Sequence, residues 1–222
     1  MRQYPCQELS DLEIIRKSLE DVEYFSCLYE RYEKRLLVYI MRFDGVTKQE
    51  AEDVLQESFI KIWRNLHAFD QDLKLSSWIY RIVHNHTIST IRKKTSYGKY
   101  KIEPLRVKYL NSLISPALKE SELLEEQIQC VHKVIDLLSM PYKEVMVLRY
   151  LENMSYEEIS DVLQIPEGTV ATRINRAKKA FRRLSVKCPS LFDLSNWTNL
   201  NMYYLSHQKD GTKGENHQFD IN

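Results

Sequence analysis

The chain has 222 residues and carries 32 basic against 31 acidic side chains, a formal net charge of +1. This near-neutral balance argues against a histone-like protein that coats DNA, so any charge that binds nucleic acid must be concentrated regionally. Five glycines and the lack of a Gly-rich strand-to-helix turn argue against a fold that cradles a nucleotide. The length suits one large or two small domains.

The cysteines are widely scattered, at Cys6, Cys27, Cys130 and Cys188. Because they show neither CxxC spacing nor a matching His pair, we expect neither zinc nor a disulfide framework, but buried thiols in a reducing cytosol. Charged residues interrupt the N-terminal segment, and no apolar run approaches the length of a membrane span. The sequence therefore predicts a cytoplasmic protein that does not enter the membrane and binds no metal or other cofactor.

Apolar residues recur at helical spacing from Leu9 to about Lys94, which predicts an all-helical first domain. Thr47 and Glu50 have the spacing of a capping box that opens one of its helices. The apolar stripe predicted for that helix comprises Ala51, Val54, Leu55, Phe59, Ile62, Trp63 and Leu66. Its opposite face comprises Asp53, Gln56, Glu57 and Lys61.

A further helix is predicted to begin near Ser76 or Ser77 and to end at Lys94, where cations suit the helix dipole. Its inner stripe comprises Trp78, Ile82 and His86. Regularity then fades from Thr95 to about Ser121, in a stretch with prolines and a glycine that indicates a linker. Two more helices are expected, over 131–139 and 141–151.

Residues 154–181 are the most informative stretch, because they predict a helix, a tight turn and a second helix. Ser155 and Glu158 form a second capping box, and Pro166 and Gly168 mark the turn. One face of the second helix comprises Val170, Ile174, Ala177 and Phe181. The other comprises Ala171, Thr172, Asn175, Arg176 and Lys179.

The charge and chemistry of this second helix suit DNA. Between Leu163 and Lys187 the only acid is Glu167, whereas the basic residues are Arg173, Arg176, Lys178, Lys179, Arg182, Arg183 and Lys187. Arg and Asn can make bidentate contacts to guanine and adenine edges in the major groove. The competing interpretation is a basic helix that is merely solvated. Capping, spacing and charge together favour a DNA-reading helix-turn-helix.

Two separated motifs resemble the extracytoplasmic-function (ECF) group of bacterial sigma factors, over about Glu23 to Ser185. The helix-turn-helix SYEEISDVLQIPEGTVATRINRAKKAF is similar to the family's C-terminal domain. AEDVLQESFIKIWRNLHAF looks like the sigma helix that grips the polymerase clamp, and LSSWIYRIVHNHTISTIRKK is similar to the segment that meets the melted promoter. The resemblance implies an all-α chain of two helical domains joined by a flexible linker.

The resemblance also implies a domain plan and partners. A region 2 domain would span 9–96, a linker 97–126, a region 4 domain 127–185, and a partly disordered tail 186–222. The implied partners are core RNA polymerase, promoter DNA as duplex and melted strand, and an anti-sigma factor that could hold the protein at the inner membrane. No small-molecule substrate and no catalysed reaction are expected.

The resemblance also implies functional roles for individual residues of this sequence, position by position. The polymerase-contacting set is Asp53, Gln56 and Glu57. The set expected at the minus-10 element is Phe69, Lys74, Tyr80, Arg81, Asn85, Arg92 and Lys93. The set expected at the minus-35 element is Thr169, Ala171, Thr172, Arg173, Asn175, Arg176 and Lys179. Trp78 and Ile82 are assigned to the core rather than to DNA contact.

The sequence departs from the family pattern in a few places. Leu73 and Leu75 stand where a small polar residue and an aromatic are frequent, and Ala171 stands where Arg is frequent. Two other classes compete: a helix-turn-helix regulator that binds duplex operators without polymerase, and a helical enzyme. The acidic and Gln face at 53–57 favours a sigma factor over the regulator, and no nucleophile, base and oxyanion set supports the enzyme. We expect the tail to be an inert extension, with a regulatory helix as the alternative.

Overall fold

The computed structural model describes residues 6–71, 73–95 and 130–186, and every regular element within these ranges is helical. The first domain contains α1 Asp11–Glu20, α2 Phe25–Met41, α3 Lys48–Asn65 and α4 Leu75–Thr95. The second contains α5 over 130–136, α6 Met140–Met146, α7 Tyr156–Leu163 and α8 Glu167–Ser185. Short 3₁₀ turns at Val22–Tyr24 and Leu66–Ala68 join the first helices. The predicted all-α class is confirmed.

The predicted linker and nearly all of the predicted tail lie outside the described residues. Among the helices that are described, none has both the length and the apolar character needed to cross a membrane.

Capping boxes fix where three helices begin. In the predicted box of α3, the Glu50 amide donates to Thr47 Oγ1 at 3.3 Å, and the Thr47 amide donates to Glu50 Oε2 at 2.8 Å. The predicted box of α7 is also present at Ser155 and Glu158, and α1 has a third at Ser10. Each box satisfies backbone donors that a helix start would otherwise leave exposed.

The core of the first domain is built where α2, α3 and α4 meet. The predicted stripe of α3 is buried, except that Trp63 is half-buried at its edge. Phe59 of that stripe packs on Tyr29 of α2, with ring centroids 4.7 Å apart. Trp78 is buried on α4, as predicted, and its ring lies 5.2 Å from that of Phe69. Large apolar and aromatic side chains therefore fix the relative positions of the three helices.

The helix-turn-helix has the predicted layout. Gln164 ends α7 in the left-handed region, with φ 54°, and its amide donates to the Ser160 carbonyl. Pro166 occupies the position just before α8, which begins at Glu167. The predicted inner face of α8 is fully buried, since Val170, Ile174, Ala177 and Phe181 all have 0% exposure. The opposite face of α8 is thereby turned outward.

The prediction for the cysteines is wrong. Cys6 and Cys27 form a disulfide that ties the N-terminal segment to α2, and Cys130 is also disulfide-bonded. The neighbouring Arg31 holds the same segment, because its guanidinium donates to the Cys6 and Leu9 carbonyls at 2.7 Å each. Sequence spacing could not show this pairing, since it depends on the chain folding back over α2.

The two domains pack directly against each other, chiefly through α4 and α7. Ion pairs cross the boundary, among them Arg35 with Glu152 at 2.8 Å and Arg42 with Asp136 at 3.1 Å. Two domains were predicted from the sequence, but the contact between them was not. This contact affects which of the predicted functional side chains are accessible.

Candidate nucleic-acid interface

The outward face of α8 carries the exposed side chains Thr172, Asn175, Arg176 and Lys179. They lie opposite the buried stripe, so the helix presents a polar, basic ridge on a fixed base. Thr169 and Ala171 are half-buried at its margin. The Thr172 hydroxyl donates to the Gly168 carbonyl at 2.8 Å, which leaves its methyl group and its oxygen lone pairs facing outward. Such a ridge can enter a major groove with its amide and guanidinium groups foremost.

Arg173 of the predicted set is half-buried, as are Thr169 and Ala171. It lies near Glu144 of α6, whose carboxyl is mostly buried. Burial raises the pKa of Glu144 to about 7, and the Arg173 charge opposes that rise. Arg173 is less exposed than Thr172, Asn175, Arg176 and Lys179, so it is a weaker candidate for base contact than these residues.

The sequence prediction left out two cations that extend the ridge. Arg182 and Arg183 are exposed near the end of α8. Arg183 follows Arg176 and Lys179 at spacings of seven and four residues, which place all three on one side of the helix. The spacing of basic residues would have found Arg183. By contrast, Lys178 lies over the Tyr150 ring, 5.8 Å from its centroid, and packs within the domain.

On α4 the predicted residues fall into two groups. Asn85, Arg92 and Lys93 are exposed along the C-terminal half of the helix. Near its start the cations face the second domain: Lys74 Nζ lies 3.2 Å from Glu158 Oε1, and Arg81 lies 3.8 Å from Asp161. The accessible part of this predicted surface is therefore its C-terminal half.

The predicted aromatic contacts Phe69 and Tyr80 are buried instead of exposed. The Phe69 ring packs on Trp78, and the Tyr80 ring lies 5.1 Å from Tyr39 of α2. Burial raises the pKa of Tyr80 well above its ordinary value, and the nearby Glu152 carboxylate of the second domain adds to the rise. Neither aromatic is accessible to a nucleic acid in this structure, because each ring packs against another aromatic of the first domain.

The predicted polymerase-contacting residues Asp53, Gln56 and Glu57 are all exposed along one side of α3. Ile60 lies one turn beyond on the same side and is 50% exposed, which is unusual for a large apolar residue. Its spacing of seven and four residues from Asp53 and Gln56 would have revealed it. The face therefore combines charge, an amide and an exposed apolar side chain, the mixture found at protein interfaces.

Glu57 is tied to α4 through His86, whose Nε2 lies 2.9 Å from Glu57 Oε2. Lys61 also contacts the His86 ring. Burial and the Lys61 charge lower the pKa of His86, although Glu57 acts in the opposite direction. The side chains of Glu57, Lys61 and His86 thus link α3 to α4 at the edge of the exposed face.

Two parts of the chain match known protein families. Residues 28–97 match the family described as Sigma-70 region 2, and residues 128–181 match the family described as Sigma-70, region 4. The first match contains α3 and α4, and the second contains the complete helix-turn-helix. The two matches occur in the order that the sequence predicted.

Curated relatives extend the match over most of the chain. The ECF RNA polymerase sigma factor SigW of Bacillus subtilis is 33% identical over 169 residues, which cover 73% of this chain and 89% of SigW. The ECF RNA polymerase sigma-E factor of Escherichia coli is 30% identical over 180 residues, which cover 78% of this chain and 93% of that protein.

Solved structures with the same fold include CnrH in complex with the cytosolic domain of CnrY and the sigma factor RpoE in complex with the anti-sigma factor NepR from Bartonella quintana. Each is 21% identical to this chain with a TM-score of 0.55. The alignments cover 79% and 74% of this chain, and 96% of each solved chain. These structures share the fold, and the curated relatives with the paired region 2 and region 4 matches show that this chain belongs to the ECF group of sigma-70 family RNA polymerase sigma factors.

Proposed function

We propose that this RNA polymerase sigma factor divides promoter recognition between its two long exposed surfaces, with α8 at the minus-35 duplex and α4 at the melted minus-10 element. The observation that carries the proposal is the ridge on α8. It has a fully buried stripe on one side and Thr172, Asn175, Arg176 and Lys179 on the other. A helix fixed in this way can hold base-reading side chains in register with the groove.

At the minus-35 element, Asn175 and Arg176 supply the bidentate donors and acceptors for base edges. Lys179, with Arg183 one turn further, is placed to neutralise phosphates along the groove. Thr169, Ala171 and Thr172 lie at the start of the helix, where close approach and methyl contact are possible. Arg173 lies half-buried beside them.

At the minus-10 element, the melted strand follows the exposed half of α4. Asn85, Arg92 and Lys93 offer an amide and two cations for a single strand. Lys74 and Arg81 would join this surface if nucleic acid displaced their partners Glu158 and Asp161, whereas Tyr80 is buried against Tyr39 of its own domain. Unstacking bases costs a few kcal/mol each, so this surface must supply favourable contacts to the separated strand.

Polymerase binding is assigned to the α3 face, through Asp53, Gln56, Glu57 and the exposed Ile60. The protein supplies positioning and strand separation, and the polymerase carries out the chemistry, so we propose no enzymatic activity. A regulator that binds duplex operators would have no use for this face.

We also propose control by an anti-sigma factor, because an exposed basic ridge and a polymerase-binding face must be kept inactive between rounds of transcription. The solved relative RpoE is in complex with the anti-sigma factor NepR, which supports this partner class. Such a partner would hold the protein in the cytoplasm or against the inner membrane. A pull-down under resting and inducing conditions should recover it, and recovery of polymerase alone in both states would contradict this part.

Footprinting on a genomic promoter tests the division of labour. With core polymerase and this protein, we expect nuclease protection at the minus-35 duplex and permanganate reactivity of thymines at the minus-10 element. Protection that forms without polymerase and is never accompanied by melting would contradict the proposal and would support an operator-binding regulator.

A further inference from the structure

We propose that Ser160 of α7 is a positioning residue for minus-35 recognition. Its hydroxyl group holds the turn of the helix-turn-helix in one conformation, and so fixes the direction in which the reading helix α8 leaves that turn. The inference rests on the proposed function, since it takes α8 as the reading helix. Ser160 is half-buried on α7 and lies outside the ridge, so it acts through the turn and not by touching DNA.

The hydrogen bond of the Ser160 hydroxyl runs in an uncommon direction. This group donates to the Ile165 carbonyl at 2.6 Å, five residues ahead and beyond the end of α7. Hydroxyl groups inside a helix ordinarily donate backward, to the carbonyl four residues earlier in the same helix. Other hydroxyl groups of this protein do so, namely those of Ser58, Thr87, Thr90 and Thr172. The Ser160 hydroxyl therefore connects α7 to the turn, which a backward bond would not do.

The turn requires this connection because Gln164 adopts the left-handed backbone conformation, with φ 54°. Glycine adopts that conformation readily, whereas a residue with a Cβ resists it. The Gln164 backbone amide donates to the Ser160 carbonyl, and its side-chain amide donates to the Asp161 carbonyl at 2.6 Å. The Ile165 amide also donates to the Ser160 carbonyl, at 3.3 Å. Ser160 thus bonds to both residues of the turn, through its carbonyl and through its hydroxyl.

The bond to Ile165 also orients the start of α8. Ile165 precedes Pro166, so the carbonyl that accepts the Ser160 hydroxyl belongs to the peptide group that contains the proline nitrogen. That peptide group is planar, and the proline ring fixes the next φ. The Pro166 carbonyl in turn accepts from the Thr169 and Val170 amides, at 2.8 and 3.1 Å, in the first turn of α8. A short, rigid path therefore leads from the Ser160 hydroxyl to the reading helix.

Base readout is sensitive to the direction of α8. At about 1.5 Å per residue, Arg176 lies about 13 Å from the first residue of the helix, so a tilt of about 10° moves it by about 2 Å. Binding groups must be held to within about 0.5 Å of their productive positions. A displacement of this size breaks bidentate contacts to base edges. It changes the attraction between cations and phosphates much less, since that attraction carries no sequence information and little directionality.

The test compares two affinities of holoenzyme assembled with the full-length protein. One probe is a genomic promoter fragment that the holoenzyme protects, and the other is the same fragment with its minus-35 segment scrambled. Ser160→Ala removes the hydroxyl and introduces a good helix former, whereas Ser160→Thr retains the hydroxyl. Ser185→Ala is the matched control, because the Ser185 hydroxyl donates to the Arg182 carbonyl at 2.9 Å, at the other end of α8.

We expect Ser160→Ala to lower affinity for the intact fragment about fivefold and affinity for the scrambled fragment less than about twofold, as expected for the loss of one hydrogen bond that acts on base readout. Ser160→Thr should bind both fragments like the wild type. Ser185→Ala should leave the ratio of the two affinities unchanged, even where it lowers stability. In a Gln164→Gly background, Ser160→Ala should change the ratio much less, because glycine adopts the left-handed conformation without support.

An unchanged affinity ratio in Ser160→Ala would overturn the positioning role, provided that circular dichroism shows retained helix content. Equal losses on both fragments, in Ser160→Ala and Ser185→Ala alike, would also overturn it, because they indicate only a loss of stability. A full effect of Ser160→Ala in the Gln164→Gly background would contradict the part assigned to Gln164. The proposed function fails separately, if Arg176→Glu with Lys179→Glu leaves affinity for the intact fragment unchanged.

Discussion

The two long helices proposed to contact DNA, α4 with four basic residues and α8 with six, present these residues differently. The reading helix α8 has a buried stripe on one side and a free ridge on the other. In α4, neighbours lie on two sides, because α2 and α3 cover one face and α7 covers another. A helix that packs only against helices of its own domain, as α8 packs on α6 and α7, thus keeps its outer face accessible, whereas α4 has part of its outer face covered by the other domain.

The difference also appears in what each helix buries. The fully buried residues of α8 are apolar, apart from Ser185 at its end. The buried residues of α4 include three that carry polar groups, namely Tyr80, His84 and Thr87. Tyr39 of α2 satisfies one of them, since its hydroxyl lies 2.9 Å from His84 Nδ1.

The largest expected effect is on the ridge of α8. Arg176→Glu with Lys179→Glu should weaken binding of holoenzyme to a minus-35 duplex by at least about 30-fold, because each lost contact costs about 1–3 kcal/mol. The slope of log affinity against log salt should fall by about two. Fluorescence anisotropy across a salt series measures both quantities.

The control for this pair is Lys133→Glu with Arg16→Glu, because both residues are exposed on other helices. It makes the same change in net charge away from the ridge. Equal losses of affinity in the two double variants would show that the ridge is not the interface, and that binding depends only on overall charge.

A second effect concerns α3, which α7 does not cover. Asp53→Arg should reduce affinity for core polymerase by about tenfold or more, as expected for a central interface residue, while leaving free-protein helicity unchanged. Glu30→Arg on α2 is the control, since Glu30 is exposed and carries the same charge. Undiminished polymerase binding by Asp53→Arg would remove this side of α3 from the interface.

A third prediction distinguishes the proposed role of α4 from that of α8. Arg92→Glu with Lys93→Glu should weaken single-strand binding by several-fold and leave binding to the minus-35 duplex intact. The smaller effect is expected because these cations contact the backbone of a flexible strand, whereas α8 reads a fixed groove. If this variant instead lost duplex binding as strongly as the α8 variant, the division between the helices would be wrong.

The smallest effect tests Glu144, which lies between the two helices. Its carboxyl is near Arg173 of α8 and 4.0 Å from His84 of α4. Burial holds the pKa of His84 at about 4, and raises that of Glu144 to about 7, so near neutral pH the two do not form a full ion pair. The raised carboxyl pKa means that the folded protein binds more protons than the unfolded chain from about pH 4.5 to 7.

Stability from Glu144 is therefore present at low pH and is lost as pH rises through 7. Glu144→Gln removes this dependence. Between pH 5.5 and 8 the free energy of unfolding of the variant should therefore rise relative to that of the wild type by on the order of 1 kcal/mol. His84 acts with the opposite sign, because its lowered pKa makes stability rise from about pH 4 to 6.5, but it does so in both proteins. Urea unfolding at each pH measures the difference, and parallel curves would contradict the assignment.

Much of this structure could be predicted from local sequence. The capping pairs Thr47 with Glu50 and Ser155 with Glu158 involve residues three apart, so their geometry depends on one helical turn. The buried stripe and outward ridge of α8 follow from helical periodicity in the same way. The exposed residues of α3 were also predicted correctly as an outer face, although Ile60 was missed.

The rest depends on contacts between distant parts of the chain. Arg35 and Glu152 are 117 positions apart, and nothing in the local pattern of either residue indicates the other. The burial of Tyr80 depends on its packing against Tyr39, 41 positions away, and the disulfide of Cys6 with Cys27 depends on the N-terminal segment folding back. Periodicity reports how many faces of a helix are apolar, but not whether a polar face is covered by a second domain.

Run-off transcription tests the account most directly. Purified core RNA polymerase is supplied with genomic promoter fragments, with and without this protein, and with the Arg176→Glu, Lys179→Glu variant. We predict new discrete transcripts that require the protein and that the α8 variant does not produce. Tight binding of the protein to duplex fragments with no new transcript would contradict the assignment of promoter-directed initiation to this chain.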